Sequence, residues 1–142
     1  MCFEQQVQVI VMLNNLEDEN ILETEHYFPK LNQVKKIGGY EIRTQAKMSE
    51  NGLTYRNIKV QSKKKTQTFI HYQYSNWKDK GIVEEEFFEN FANFLQIIFK
   101  LSDQKSHEFS NCSLLIHCKA GIGRSGTFLA LLFIYEKLKM IY

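Results

Sequence analysis

A cysteine and an arginine six residues apart, Cys118 and Arg124, lie in the stretch HCKAGIGRSGT at residues 117–127. Apolar runs on both sides predict that this stretch joins a strand to a helix. Backbone N–H groups of such a loop converge at the positive end of the helix dipole and bind anions, and an arginine adds a bidentate grip on phosphate oxygens. Gly121 and Gly123 allow close backbone approach and unusual φ angles. The predicted phosphate cradle comprises Lys119, Ala120, Gly121, Ile122, Gly123 and Arg124.

The same loop is expected to activate Cys118. A thiol that faces a helix N-terminus and a guanidinium loses its proton readily, and the thiolate is the nucleophile. One loop can therefore both activate a nucleophile and bind the tetrahedral anion that it attacks, so the predicted reaction is phosphoryl transfer to cysteine. Ser125 is placed to donate a hydrogen bond to the thiolate when it leaves. His117 is expected to hold the loop or to tune the thiol.

An aryl leaving group also needs a proton from a general acid elsewhere in the chain. The candidate is Asp79, which lies in a polar loop beside Trp77, the single tryptophan of the sequence. We expect Trp77, Lys78 and Asp79 to form a lid that closes over a bound phosphate and excludes water. Asp79 would then act as an acid in the first step and as a base in the second.

The elements that must position these residues follow from the periodicity of the apolar positions. Short apolar or alternating runs predict strands over residues 7–13, 40–44, 54–62, 66–74 and 113–117. Helices are predicted over residues 84–101 and 124–139, the first with a core stripe of phenylalanines. Residues 14–25 are predicted to be a loop or a weak helix, and residues 103–111 a loop. This mixture favours an α/β or α+β fold.

Composition excludes several classes of protein. The chain has 142 residues, which suits a single domain, and its net charge of +2 is too small to indicate nucleic acid or a membrane surface as a partner. Its longest apolar run, residues 128–135, is too short to span a bilayer. Three cysteines and no signal peptide favour a reduced, cytoplasmic setting. The spacing of His and Cys residues fits no common zinc site, so we predict neither a metal nor a cofactor.

At every position HCKAGIGRSGT resembles H-C-x-A-G-x-G-R-S-G-T, the signature loop of the cysteine-dependent protein tyrosine phosphatases. His71-Tyr72-Gln73-Tyr74, ahead of Trp77-x-Asp79-x-Gly81, is similar to the segment that leads into the family's Trp-Pro-Asp lid. Residues 9–13 and Tyr27-Phe28-Pro29 resemble the tyrosine-specific branch, which argues against the dual-specificity branch.

This resemblance implies an α/β fold with a central mixed β-sheet flanked by helices, and with the signature loop between a strand and a helix N-terminus. It also implies hydrolysis of phosphotyrosine in substrate proteins through a cysteinyl-phosphate intermediate, without a metal or a cofactor. Cys118 would be the nucleophile, Arg124 the phosphate ligand and Asp79 the general acid.

The sequence departs from the family in two ways. Lys78 stands where the family's lid has proline, which loosens the hinge and places a cation beside Asp79 that favours its ionised form. The likeness covers only the central and catalytic part of a phosphatase domain, so residues 1–142 are interpreted as a single partial domain. The helices at 84–101 and 124–139 are then expected to lack some apolar cover. A catalytically impaired phosphotyrosine-binding module, or pseudophosphatase, and a chain with no stable fold stay open as alternatives.

Overall fold

A mixed six-stranded β-sheet organises the part of the chain that the structure describes. The structure is a computed structural model, and it describes residues 2, 4–18, 21–22, 24–102 and 113–139. The strands are β1 (Val7–Met12), β2 (Glu17–Asp18), β3 (Ile21–Leu22), β4 (Val34–Ile37), β5 (Tyr40–Glu50), β6 (Leu53–Gln61), β7 (Thr66–Tyr74) and β8 (Ser113–His117). The helices are α1 (Phe88–Ser102), which follows a 3-10 turn at Glu85–Phe87, and α2 (Gly123–Lys139). The six-stranded sheet has the order β4-β5-β6-β7-β1-β8, and β2 pairs with β3 separately.

Three neighbouring strands of this sheet are parallel, and their carboxyl ends position the candidate site. β1 lies between β7 and β8 and runs parallel to both, with Met12 opposite Gln73 on one side and His117 on the other. All three strands therefore end at the same edge of the sheet. The lid follows β7 and the cradle follows β8, so the strand register brings both segments to that edge, where ligands of open α/β sheets commonly bind.

One face of the sheet is covered by both described helices. Alternation along β1 directs Val9 and Val11 to this face, where neither is exposed to solvent. They belong to one core cluster with Phe94 and Ile98 of α1 and Phe128 of α2, all fully buried. The predicted phenylalanine stripe is therefore confirmed as core, because its residues recur on one side of the helix.

The opposite face holds two smaller apolar clusters under an irregular segment. Ile10 and Met12 of β1 point to this face, where Ile10 clusters with Phe69 of β7 and Met12 with Ile58 of β6. Phe28, from the loop that follows β3, covers Met12 and Ile58. This face also buries polar side chains of β6 and β7, because they alternate in phase with Ile58 and Phe69.

The strands predicted from the sequence are confirmed, and two parts of the sheet were not anticipated. β6 and β7 form an antiparallel hairpin whose turn contains Lys63, Lys64 and Lys65, and β5 continues to Glu50 along β6. Residues 14–25, expected to be a loop or a weak helix, contain β2 and β3. β4 was missed because two of its four residues are lysines and it lies at the sheet edge, so it has no apolar pattern.

Both predicted helices form, and they differ in how well they are covered. The core stripe of α1 is packed, so the expectation that this helix lacks cover is wrong. The expectation holds for α2, which exposes Leu129, Phe133, Ile134 and Leu138. Neither described helix has the length and apolar character that crossing a bilayer requires. The loop predicted at 103–111, together with Cys112, lies outside the described residues.

Truncation of Phe94 to Ala should destabilise the fold by about 3–5 kcal/mol, because it leaves a cavity between the sheet and both helices. Phe88, which is 54% exposed on the same helix, provides the matched control. Phe88→Ala should change the free energy of unfolding by less than about 1 kcal/mol. Urea denaturation of both variants measures this, and equal losses would contradict the assigned core.

Candidate active site

The turn between β8 and α2 forms the cradle. The carbonyl of His117 accepts a hydrogen bond from the N–H of Leu13 (2.9 Å), which ties the end of β8 to β1. Gly121 has a φ of +74°, in the left-handed region that residues with a Cβ rarely adopt. Gly123 is the first residue of α2 and has no positive φ, so Gly121 alone of these two glycines uses the freedom that glycine allows.

The remaining cradle residues lie at its rim. Lys119, Ala120 and Ile122 are exposed, and a Cβ added at Gly121 or Gly123 would meet no atom within 4 Å. The loop is therefore open to an approaching ligand. The first N–H groups of α2 have no acceptor within the helix, which makes this end of α2 suitable for an anion.

Cys118 lies at the base of the cradle and is buried beside Ser125 of α2. Burial by itself raises the pKa of the Cys118 thiol, but hydrogen bonds from the Ser125 hydroxyl and from the N–H groups of Ser125 and Gly121 oppose it. Together with the charge of Arg124 they lower the pKa of Cys118 below its usual value. The Ser125 hydroxyl is buried and makes no hydrogen bond to any other described residue, so it is available to a thiolate.

Arg124 connects the cradle to the lid. Its guanidinium is only 5% exposed, and its Nη1 donates to the carbonyl of Trp77 (2.9 Å) while its Nη2 donates to Oδ1 of Asp79 (3.2 Å). Lys119 lies on the other side of the same carboxylate, with its Nζ 3.7 Å from Oδ2. The structure thus brings Asp79 and Trp77 to the predicted phosphate ligand.

The lid is fixed at its base by the indole of Trp77. The indole N–H donates to the carbonyl of Gly81 (3.1 Å), and the ring packs edge-on against Phe91 of α1 at 5.3 Å. Lys78 was expected to place its charge beside Asp79, but its Nζ lies 3.2 Å from the carboxylate of Glu84. Arg124 and Lys119 both contact the Asp79 carboxylate.

His117 lies behind the cradle in a buried hydrogen-bonded network. Its Nδ1 is 3.2 Å from the carbonyl of Cys118, and its Nε2 is 2.9 Å from the hydroxyl of Tyr27. The same hydroxyl is 2.7 Å from Nε2 of His71, whose Nδ1 is 3.4 Å from Nη1 of Arg56. The expectation that His117 holds the loop is therefore consistent with its contact to the Cys118 peptide.

Sequence reasoning assigned no role to Tyr27, His71 or Arg56, although they connect to the cradle. Tyr27 lies 44 residues before His71 in the sequence, and Arg56 lies 15 residues before it. No local motif therefore contains all three residues. The one available signal was the scarcity of arginine, because the sequence contains only Arg43, Arg56 and Arg124. Arg124 serves the cradle and Arg56 is buried, which is unusual for a charged side chain.

Two cavities adjoin this region. Cys118, His117 and Lys119 line one of about 480 Å³ together with Tyr27. The other, of about 280 Å³, is largely apolar and lies against the sheet face that carries Ile58. The second cavity contains no cradle residue, so we assign it no chemistry. Within the described ranges, His, Cys, Asp and Glu side chains form no group of three or more that could hold a metal ion.

The fold and the site define a class of protein in which a cysteine and an arginine share an anion-binding loop at a helix N-terminus. The chain belongs to the protein-tyrosine phosphatase family, whose model matches residues 1–141. It is 29% identical over 132 residues to human tyrosine-protein phosphatase non-receptor type 2, covering 90% of this chain and 31% of that protein. It is also 28% identical to tyrosine-protein phosphatase 2 of Dictyostelium discoideum, covering the whole chain and 36% of that protein.

A receptor-type phosphatase and a solved structure are also similar to this chain. Rat receptor-type tyrosine-protein phosphatase V is 30% identical over 140 residues, which cover 96% of this chain and 8% of that protein. A solved structure described as "Structural basis of PTPN18 fingerprint on distinct HER2 tyrosine phosphorylation sites" superposes with a TM-score of 0.78 at 19% identity. That match covers 98% of this chain and 47% of the solved chain, and it confirms the predicted α/β fold. The chain thus spans about a third of the length of the first curated relative.

Replacement of Ser125 by Ala should raise the pKa of the Cys118 thiol, because the thiolate loses one of its donors. The pH dependence of iodoacetamide alkylation, with the Cys118 peptide quantified by mass spectrometry, measures this pKa. The control is Thr127→Val, an exposed hydroxyl on the next part of α2. If Ser125→Ala and Thr127→Val give the same midpoint as the unmodified chain, Ser125 does not stabilise the thiolate.

The pH dependence of stability should report the burial of His71. Burial, with the charges of Arg56 and His117, lowers the pKa of His71 from 6.5 to about 3. Between these values the unfolded chain binds a proton at His71 and the folded chain does not, so stability falls as pH decreases from 6.5 toward 3. The contribution approaches about 1.4 kcal/mol per pH unit.

The variant His71→Gln should therefore show a shallower fall in unfolding free energy with decreasing pH than the unmodified chain. His26→Gln, which changes an exposed histidine, is the control and should keep the original slope. Urea denaturation between pH 7 and pH 4 gives both slopes. Parallel curves for His71→Gln and the unmodified chain would show that His71 is not held neutral.

Proposed function

We propose that this chain carries the catalytic machinery of a protein-tyrosine phosphatase and hydrolyses phosphotyrosine in proteins through a cysteinyl-phosphate intermediate. The observation that carries the proposal is the single side chain of Arg124, which lies in the cradle beside Cys118 and binds the lid at both Trp77 and Asp79. Nucleophile, phosphate ligand and general acid are thereby within reach of one phosphate group.

In the first step, the thiolate of Cys118 attacks phosphorus and the bond from phosphorus to the tyrosine oxygen breaks. Arg124 and the N–H groups of the loop hold the equatorial oxygens, whose charge is spread in the transition state. Asp79 donates its proton to the departing phenolate, which leaves as a neutral tyrosine side chain. The products of this step are a cysteinyl-phosphate and the dephosphorylated protein.

In the second step, water attacks the phosphorus and the bond from phosphorus to sulfur breaks. Asp79, now ionised, accepts a proton from the water, and inorganic phosphate is released. The departing thiolate receives the hydrogen bond of the buried Ser125 hydroxyl. The same donors that lower the pKa of the Cys118 thiol therefore also improve it as a leaving group.

Substrate binding requires an exchange at Arg124. Its fork holds the carboxylate of Asp79 and the Trp77 carbonyl, and a phosphate would take over the Nη2 donor now used by Asp79. The contact to the Trp77 carbonyl can persist during this exchange. Asp79 would then move from the guanidinium to the leaving-group oxygen, a short displacement within a lid that Trp77 anchors.

A second candidate is a phosphotyrosine-binding module with impaired hydrolysis. The observation that favours it is the double ion pair of Asp79, because its carboxylate must leave both Arg124 and Lys119 before it can reach a leaving group. A lid that stays in this state leaves the cradle and Cys118 intact but supplies no proton. Separate measurement of dephosphorylated peptide and inorganic phosphate distinguishes the phosphatase from the binding module.

We also infer that the 142 residues form the central and catalytic part of a phosphatase domain, since they span about a third of the human relative. A reduced, cytoplasmic setting is the compatible location, because a catalytic thiolate is inactivated by oxidation. Cys2 and Cys118 are both free. The proposed partners are phosphotyrosine-containing proteins.

A single-turnover reaction with a phosphotyrosine peptide tests the proposal when dephosphorylated peptide and inorganic phosphate are followed separately. Cys118→Ser should abolish release of both. Asp79→Asn should slow peptide release by about 10²- to 10⁴-fold. Arg124→Lys should slow it by at least about 10²-fold, because lysine keeps the charge and loses the fork.

The matched controls are Cys2→Ser and Glu136→Gln, the latter an exposed acid on α2. Both should retain the rate of the unmodified chain. Release of peptide without phosphate would place the defect in hydrolysis of the cysteinyl-phosphate. Peptide binding by the folded chain with release of neither product would favour the binding module.

A further inference from the structure

An arginine is buried on the sheet face opposite the helices. Arg56 of β6 is only 7% exposed, and none of the described residues offers it a carboxylate within salt-bridge distance. Its guanidinium lies 4.6 Å from the centre of the Phe28 ring and donates toward Nδ1 of His71 at 3.4 Å. A buried charge that no carboxylate of the described residues pairs is costly, so the position calls for a reason beyond packing.

The chemistry of arginine fixes the direction of the hydrogen bonds that start from it. A guanidinium can only donate, so Nδ1 of His71 must accept. A neutral imidazole with an accepting Nδ1 carries its proton on Nε2. The Nε2–H of His71 therefore donates to the oxygen of Tyr27 at 2.7 Å.

The same logic continues to the cradle. Because the oxygen of Tyr27 accepts from His71, its hydroxyl proton goes to Nε2 of His117 at 2.9 Å, a closer and stronger acceptor than the Met12 sulfur at 3.9 Å. His117 then carries its own proton on Nδ1, and that N–H donates to the carbonyl of Cys118 at 3.2 Å. Four hydrogen bonds thus run in one direction, from Arg56 to the peptide of the candidate nucleophile.

Both histidines must be neutral for this order to exist. Burial, with the charges of Arg56 and His117, lowers the pKa of His71 to about 3. Burial also lowers the pKa of His117, although its contact with the Cys118 carbonyl opposes this. Burial raises the pKa of Tyr27, so its hydroxyl keeps its proton. Near neutral pH each ring therefore has one donor and one acceptor.

We propose that Arg56 is a positioning residue for Cys118, and that it orients the Cys118 peptide through the ordered hydrogen bonds of His71, Tyr27 and His117. The proposal rests on the proposed function only in treating Cys118 as the nucleophile. In a trans peptide the carbonyl and the following N–H point in opposite directions. A carbonyl of Cys118 held by His117 therefore aims the N–H of Lys119 away from the histidine.

Loss of Arg56 would remove the donor that fixes the direction of these four hydrogen bonds. Nδ1 of His71 would have no obligatory donor, so His71 could carry its proton there and accept from Tyr27 at Nε2. The Tyr27 hydroxyl would then donate to His71 instead of His117. Without that donor, the tautomer of His117 that donates to the Cys118 carbonyl would no longer be fixed. The other groups that lower the pKa of Cys118 are Ser125 and Arg124 of α2 and the N–H of Gly121 in the loop, and none of them is part of this network.

The first experiment measures the tautomers of the unmodified chain by nitrogen-15 and carbon-13 NMR of the histidine rings at pH 7. We expect His71 to be protonated on Nε2 and His117 on Nδ1, both in neutral form. Opposite tautomers at either ring, or a charged His71, would overturn the proposal. This result decides the proposal even if the variants below do not fold.

The second experiment follows the pH dependence of Cys118 alkylation by iodoacetamide, with the Cys118 peptide quantified by mass spectrometry. Arg56→Met and Tyr27→Phe should each slow alkylation below the thiol midpoint by roughly three- to tenfold, equivalent to about half to one pH unit. Because the hydrogen bonds act in series, the double variant should be no slower than either single variant.

Arg56→Lys keeps a buried donor and should preserve the rate of the unmodified chain. Arg43→Met, which removes an exposed arginine of β5, is the matched surface control. An unchanged midpoint in folded Arg56→Met, or additive effects in the double variant, would reduce Arg56 to a packing role and overturn the proposal. Alkylation needs no turnover, so a chain that fails to hydrolyse phosphotyrosine still tests this inference.

Discussion

The guanidinium of Arg124 is the interaction on which the site depends, because it joins two segments that are 47 residues apart in the chain. It is buried, and its donors reach the carbonyl of Trp77 and the carboxylate of Asp79. Burial makes these contacts strong and leaves the fork with few alternatives. One side chain therefore joins the predicted phosphate cradle to the lid, and in the proposed reaction a phosphate would compete with a carboxylate that the protein itself supplies.

The sheet makes this interaction possible through the parallel arrangement of β7, β1 and β8. Their common edge brings the lid and the cradle together before any side chain is considered. The two faces of the sheet then support different parts of the site. One face packs the helices, whose fully buried phenylalanines Phe94 and Phe128 support α2 and hence its N-terminus. The other buries the hydrogen-bonded network that reaches the back of Cys118.

The predictable parts of the fold were those with a strong local pattern. The strand at residues 113–117 and the two strands β6 and β7 were predicted because apolar runs and alternation are local signals of strands. β4 was missed because two of its four residues are lysines and the strand has no apolar pattern. The charge of Lys78 was misplaced as well, since neighbours in sequence do not reveal that its partner is Glu84.

The sequence by itself determined the chemistry of the cradle, since Cys118, Arg124 and Ser125 lie within one short stretch whose spacing dictates their meeting at a helix N-terminus. Only the tertiary structure decided what that stretch contacts. The ion pairs of Asp79 and the chain of Arg56, His71, Tyr27 and His117 join residues from separate strands and loops. Hydrogen bonds of this kind depend on sheet register and on burial, and neither is encoded in the spacing of any local motif.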